Sequence, residues 1–294
     1  MPAPVVSLRL TLKNILFPTD FTSVSESALP YALAIARLYG AKLFVTHAVA
    51  PEPPLAIPLE PVPIEMDPYW QDARKKLAVF LEQERLRPAA REGILEQGNL
   101  CEVIEDVIHR HSIDLIVLGS HGRHGLKKLV LGSSAEEIFR RSSCPVMTVG
   151  PRAVQRSEEP GILRHIVFAT DFSPGSLHAL PYALSLAEEN QAELTLAHFI
   201  PLVPVLHQEQ VREQGTKRLK ELIPADAEDW CRPQCVVGFE FPAEGILALA
   251  AERHADLIVM GVHARAVRSS AHLPWAIAYE VVCHAPSPVL TLRG

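Results

Sequence analysis

The residues best suited to chemistry lie between Gly119 and Ser134, GSHGRHGLKKLVLGSS. An apolar run, DLIVL, leads into this stretch, and a helical pattern, AEEIFRR, follows it. Gly119, Gly122 and Gly125 can take positive φ and let main chain approach a ligand closely. Gly132-Ser133-Ser134 then opens the helix, where Ser134 and Glu137 have capping-box spacing. The unpaired N–H groups of a first helical turn attract anions, and serine hydroxyls add donors. Arg123, Lys127 and Lys128 stand nearby in sequence to screen phosphate charge. On residue types alone, two readings stay open: a phosphate cradle, or a strand-to-helix loop whose glycines only make turns. Neither the G-x-x-x-x-G-K-[ST] nor the G-x-G-x-x-G pattern is present to decide between them.

The other candidates are weaker. Asp20 ends an apolar run and suits ligand or metal binding better than general-base work, because no second carboxylate or placed histidine accompanies it in its motif. Asp114 and Asp256 precede apolar runs and read as caps or turn residues. His109, His111, His121 and His124 are scattered across a helix end, a strand and a loop, unlike a zinc set. His47 and His198 end buried strands and read as core or pocket-edge histidines. Cys231 and Cys235 bracket Pro233 without a matching second ligand pair. The five cysteines are an odd number in a large chain, which suits ordinary thiols in a reducing cytoplasm.

The chain that must position these residues is written twice. KNILFPTDFT at 13–22 returns as RHIVFATDFS at 164–173, and ALPYALAIA at 28–36 returns as ALPYALSLA at 179–187. Asp20 and Asp171, like His47 and His198, stand 151 residues apart. DLIVLGSH at 114–121 returns as DLIVMGVH at 256–263, so the second copy is nine residues shorter in its middle. CPVMTV at 144–149 returns as SPVLTL at 287–292. Two similar domains follow, 1–150 and 161–294, joined by a polar linker at 151–160.

Each copy alternates apolar strand runs with helical patterns, which predicts a parallel sheet covered on both faces and doubly wound α/β architecture in each half. The first copy reads as a strand at ILFPT, a helix over about Ser23 to Tyr39 with Pro30 inside it, and a strand at AKLFVTHAV. A loop at 51–68 with seven prolines follows, then a helix from about Tyr69 to Leu86 and a strand at REGILEQ. NLCEVIEDVIHRHS is a helix, DLIVLG the fourth strand, AEEIFRRS a helix and CPVMTV the fifth strand. If strands one and four are neighbours, Asp20 faces the glycine stretch across the crevice where such sheets bind ligands. The net charge of -6 disfavours binding to nucleic acid or anionic membrane. No apolar run is long enough to span a membrane, and the opening residues lack the pattern of a secretory signal.

With these motifs in hand, the sequence resembles the universal stress protein family. Gly119, Gly122, Gly132 and Ser133 fit that family's G-x2-G-x9-G-[ST] pattern for ATP binding. The opening I-L-x-P-T-D-F, the segment Phe44 to Val49 and the closing C-P-V-x-x-V are similar too, and the likeness covers both halves. The resemblance implies two five-stranded sheets of order 3-2-1-4-5 and an ATP site in the first half, with the nucleotide alone or with magnesium. It implies that Asp20 binds ribose or helps hold a phosphate-linked metal, and that Ala48 lines the adenine pocket through its main chain. Leu118 and Gly119 would flank the nucleoside, and Gly122, Gly132, Ser133 and Ser134 would cradle the phosphates. It further implies an internal pseudo-dimer through CPVMTV and SPVLTL, allows a homodimer of chains, and points to a cytoplasmic regulatory role in stress toward an unknown protein partner. A slow ATPase using Asp20 and a divalent cation, and a nucleotide-independent scaffold, are the rival expectations.

The second copy departs from the pattern. Gly261 stands, but Ala264 replaces the second glycine, and His272-Leu273-Pro274-Trp275 replaces the surroundings of the third. Proline has no N–H to donate. The second half is therefore expected not to bind ATP in the ordinary way, and to be structural or to hold another ligand against His263, Arg265 and Trp275.

Overall fold

The structure, a computed structural model, describes residues 10–50, 67–120, 131–153, 163–262 and 274–293, with the main chain alone at Ser133, Ser134, Pro274 and Trp275. The first half runs β1 (Asn14–Pro18), α1 (Ser23–Glu26), α2 (Leu29–Tyr39), β2 (Lys42–Val49), α3 (Pro68–Leu81), β3 (Arg91–Gln97), α4 (Leu100–His111), β4 (Leu115–Gly119), α5 (Ser133–Arg141) and β5 (Val146–Val149). The second runs β6 (His165–Ala169), α6 (Pro174–Leu177), α7 (Leu180–Asn190), β7 (Glu193–Phe199), α8 (Val205–Lys220), β8 (Gln234–Gly238), α9 (Pro242–Glu252), β9 (Leu257–Val262), α10 (Pro274–His284) and β10 (Val289–Arg293).

Strand order is β3-β2-β1-β4-β5 in the first half and β8-β7-β6-β9-β10 in the second, so each half has the order 3-2-1-4-5. All pairings within a half are parallel. The expected two sheets are in fact one sheet of ten strands, because β5 and β10 pair antiparallel, with Leu290 opposite Met147. A lone β5 would leave a row of unpaired main-chain groups beside buried Met147, and β10 covers that edge.

Strand residues alternate between two apolar layers. Ile15, Phe17, Leu43, Val45, Leu115 and Val117 face the layer of α2 and α3, while Leu16, Phe44, Ile116 and Leu118 face that of α4 and α5. Both layers are contiguous across the two halves, so the period-2 alternation of side chains is hidden in sequence by burial on both faces.

Local chemistry sets the boundaries. The helix expected over 23–39 is two helices, because Pro30 sits in the first turn of α2, where its missing N–H costs nothing. Gly40 ends α2 in the left-handed conformation at φ 63°. The helix expected to reach Leu86 ends at Leu81, and a single 3-10 turn covers Glu84–Leu86. Arg91 stabilises that ending, its Nε donating to Leu81 O at 2.8 Å and its Nη1 to Leu86 O at 3.1 Å. Asp114 and Asp256 act as turn residues: Asp114 Oδ2 accepts from the amides of Lys13 and Asn14, and Asp256 Oδ2 from those of Arg164 and His165. Each aspartate thus ties the entry of a half's fourth strand to that of its first.

Candidate functional site

The order 3-2-1-4-5 reverses direction between β1 and β4, and the crevice for a ligand in such a sheet lies beyond the carboxyl ends there. Leu16 pairs with Ile116, which sets Asp20 and Gly119 at that shared end, with Ala48 at the corresponding end of β2.

The corner after β1 is built by Thr19-Asp20-Phe21-Thr22. Phe21 takes φ 60°, a left-handed conformation that costs a bulky residue about 1–2 kcal/mol. Three contacts hold it there. Its amide donates to Thr19 Oγ1 at 3.0 Å, and its ring lies 4.6 Å from that of His47 and 5.8 Å from that of Phe80. His47 Nδ1 lies 2.7 Å from Thr19 O. A carbonyl only accepts, so Nδ1 carries the proton, and His47 is the pocket-edge histidine that the sequence indicates. Asp20, half-buried, is oriented by Thr22, whose amide and hydroxyl donate to its Oδ1 at 3.1 and 2.6 Å. Thr22 in turn caps α1 by accepting from the amide of Ser25.

The second half repeats this corner. Phe172 takes φ 62°, His198 Nδ1 lies 2.7 Å from Thr170 O, and Ser173 orients Asp171. Burial holds the His198 imidazole below its ordinary pKa, and Arg218 adds repulsion.

Gly119 and Gly132 frame the far side of the crevice. Gly119 does not take positive φ, contrary to the sequence expectation. Its glycine is required by close approach: a Cβ there would lie 2.4 Å from Val24 O of α1. Gly261 repeats this against Gly175 O at 2.1 Å. Leu118 is buried under α4 and α5, with its main chain at the crevice end of β4. Ser120 follows, only 1% exposed, and its hydroxyl has no partner among the described residues. The Gly132 amide donates to Ser120 O at 3.0 Å, which pins the start of α5 to the end of β4.

The capping-box expectation is corrected here. The helix begins at Ser133, so Gly132 holds the N-cap position and Ser134 lies inside the first turn. Glu137 pairs instead with Arg141, at 2.8 Å, one turn further on. A glycine N-cap supplies no side-chain oxygen, so Gly132 caps none of the first-turn amides of α5. Gly122, Gly125, Arg123, Lys127, Lys128, His121 and His124 lie outside the described residues, as do His263, Arg265, Ala264 and His272.

The duplicate differs at this point. Counted back from their C-terminal ends at Arg141 and His284, α10 begins at Pro274, two residues earlier than α5, so helix occupies the place where Gly132 opens the first half. Trp275 lies in the first turn of α10.

Other groups are quieter. Among the described residues no group of three or more His, Cys, Asp or Glu could hold a metal ion. Burial pushes the Cys101 and Cys144 thiols up to about 12 and that of Cys231 up to about 11, which makes them poor nucleophiles. His111 packs its ring 4.7 Å from that of Phe44. A shallow cleft of 290 Å³ between α1 and α3, lined by Phe21, Glu26, Lys75, Lys76 and Phe80, holds none of the residues singled out in the sequence. No helix among the described residues is long and apolar enough to cross a membrane. The Thr19, Phe21 and Ser120 contributions were not singled out by sequence reasoning; the recurrence of T-D-F with a histidine at one offset is the signal that points to the first two.

Comparison with known proteins fits this geometry. The family model described as "Universal stress protein family" matches residues 11–150 and 163–293. A universal stress protein of Methanocaldococcus jannaschii is 30% identical over 141 residues, covering 47% of this chain and 81% of the relative. One from Mycolicibacterium smegmatis is 24% identical over 301 residues, covering 95% of this chain and 97% of its own. The crystal structure of a universal stress protein from Archaeoglobus fulgidus superposes with a TM-score of 0.70 at 20% identity, covering 95% of this chain and 98% of that one, a likeness of fold. Two family segments, each folded in the order 3-2-1-4-5, place this chain in the universal stress protein family as a tandem member.

Proposed function

We propose that the first half binds an adenine nucleotide, ATP alone or with magnesium, at the crevice between β1 and β4, and that this occupancy regulates a protein partner in a cytoplasmic stress response. The observation that carries the reading is a difference between the duplicates. Both keep the Thr-Asp-Phe corner, but only the first opens its last helix at a glycine. In this reading the first-turn amides of α5 at Ser133 and Ser134, with Gly122 and Gly132, hold the phosphates by hydrogen bonds and by the helix dipole. Asp20 takes ribose hydroxyls or a phosphate-bound cation, and the main chain at Ala48, Leu118 and Gly119 lines the nucleoside. The Ser120 hydroxyl, buried and without a partner among the described residues, fits a polar guest, because such a group is costly unless something bonds it. Asp20 as a lone carboxylate fits a metal held chiefly by phosphate oxygens. We place the domain boundary in 151–160.

Calorimetry with ATP tests the reading. The intact chain is expected to bind ATP and to retain nucleotide through purification, and a folded Gly122→Val variant to lose both. Absence of ATP heat from the intact chain refutes it. Phosphate release that vanishes in Asp20→Ala would instead establish hydrolysis.

A further inference from the structure

The second half lacks the glycine pattern, yet its last helix and last strand reach both ends of α5. At the start of α5, Leu131, one residue before Gly132, shares a buried apolar cluster with Cys283 and Tyr279 of α10, and its main chain counters the rise that burial gives to the pKa of the Tyr279 hydroxyl and the Cys283 thiol. Leu131 and Cys283 are both buried, 4% and 1% exposed. At the end of α5, Arg293 of β10 places Nη1 3.0 Å from Arg140 O and 3.3 Å from Arg141 O. These carbonyls belong to the last turn, where no intrahelical N–H reaches them and where a cation meets the negative end of the dipole.

The arrangement is not mirrored. With α5 and α10 aligned at their C-terminal ends, Tyr279 corresponds to Glu136 and Cys283 to Arg140; with β5 and β10 aligned, Arg293 corresponds to Gly150. Gly150 lies against Val282 O, where a Cβ would stand 2.6 Å away, so no side chain fits there to cap α10. The second half grips α5 at both ends, and the first half offers no equivalent hold on α10 through these positions.

We propose that the second half serves as a clamp that sets the position of α5, with Arg293 and Tyr279 as positioning residues for phosphate binding in the first half. This rests on the nucleotide reading above. An amide array binds phosphate only when its N–H vectors converge, so a helix free to shift along its axis loses affinity for the phosphates and not for the nucleoside.

The test is calorimetry of the full chain with ATP and with adenosine, for the wild type, Arg293→Ala, Arg293→Lys and Tyr279→Phe. Arg293 is exposed, so its variants are expected to fold, and Tyr279→Phe keeps the ring should Arg293→Ala not fold. ATP affinity is expected to fall about fivefold or more in Arg293→Ala, in the usual range of site-to-site coupling. Lysine, which keeps a donor and the charge, should restore part of it, and adenosine affinity should stay unchanged throughout. Equal loss for ATP and adenosine, or no loss for either in variants that fold, overturns the clamp and leaves the nucleotide site standing. A wild type that binds neither ligand overturns the nucleotide reading, and the clamp with it.

Discussion

Gly119 and Gly261 show how a single missing Cβ brings a short helix against the end of a fourth strand. The opposing atoms are main-chain carbonyls at 2.4 and 2.1 Å, which cannot turn aside as a flexible side chain could. Gly119→Ala is therefore expected to destabilise the protein by about 1–3 kcal/mol, the usual cost of overpacking. Urea unfolding reads this directly, and an unchanged midpoint would contradict it. The histidines of the second half give a second prediction. Burial lowers the pKa of His198 and of His165 from the ordinary value of 6.5, the former also repelled by Arg218, the latter drawn back up in part by Glu193. A depressed histidine binds fewer protons folded than unfolded, so its contribution is complete above about 6.5 and is lost as pH falls below that value. The melting temperature should drop between pH 7 and 5, and a His165→Gln, His198→Gln double variant should show a shallower drop. An identical slope in the variant would assign the loss to other groups.

Caps fix where the elements begin. Asn99 stands before LCEVIEDV, and in the structure its Oδ1 accepts from the Cys101 amide at 2.9 Å to open α4. Asn99→Ala should cost about 1 kcal/mol, measurable as a shifted unfolding midpoint, whereas the conservative Asn99→Asp should cost little. Pro30 and Gly40 likewise set the first turn and the end of α2, the one by its fixed and the other by its left-handed φ. Strand positions were legible because runs buried on both faces are apolar throughout, as in the LIVL of β4. Two things were not legible. The start of α5 was displaced by two residues, since the Ser134 and Glu137 spacing matches a capping box while Glu137 actually pairs with Arg141. Gly119 suggested a turn, but its need for glycine comes from Val24, 95 positions away in sequence, a contact that no local pattern encodes.

The whole molecule is organised around the antiparallel seam of β5 and β10. Met147 and Leu290, opposite one another there, are each 1% exposed, and both apolar layers run through the seam from one half to the other. Side-chain contacts strengthen the joint: Thr291 Oγ1 donates to Val146 O at 3.2 Å within the seam, and away from it the Leu10 amide donates to Ser185 Oγ at 2.9 Å. Neither half can open its edge without exposing the other's core, so the two should unfold as one unit despite their separate sequence motifs. Of the three tryptophans, Trp70 lies in α3 of the first half, while Trp230, which follows the 3-10 turn at Ala227–Asp229, and Trp275 belong to the second. Variants that keep Trp70 or Trp230 as the sole tryptophan are expected to report the same urea midpoint. Met147→Lys buries a charge at the seam and should lower that midpoint in both reporters together, at a cost of about 4 kcal/mol. Two separated transitions, or a loss confined to the Trp70 reporter, would mean that the halves are held side by side without sharing a core.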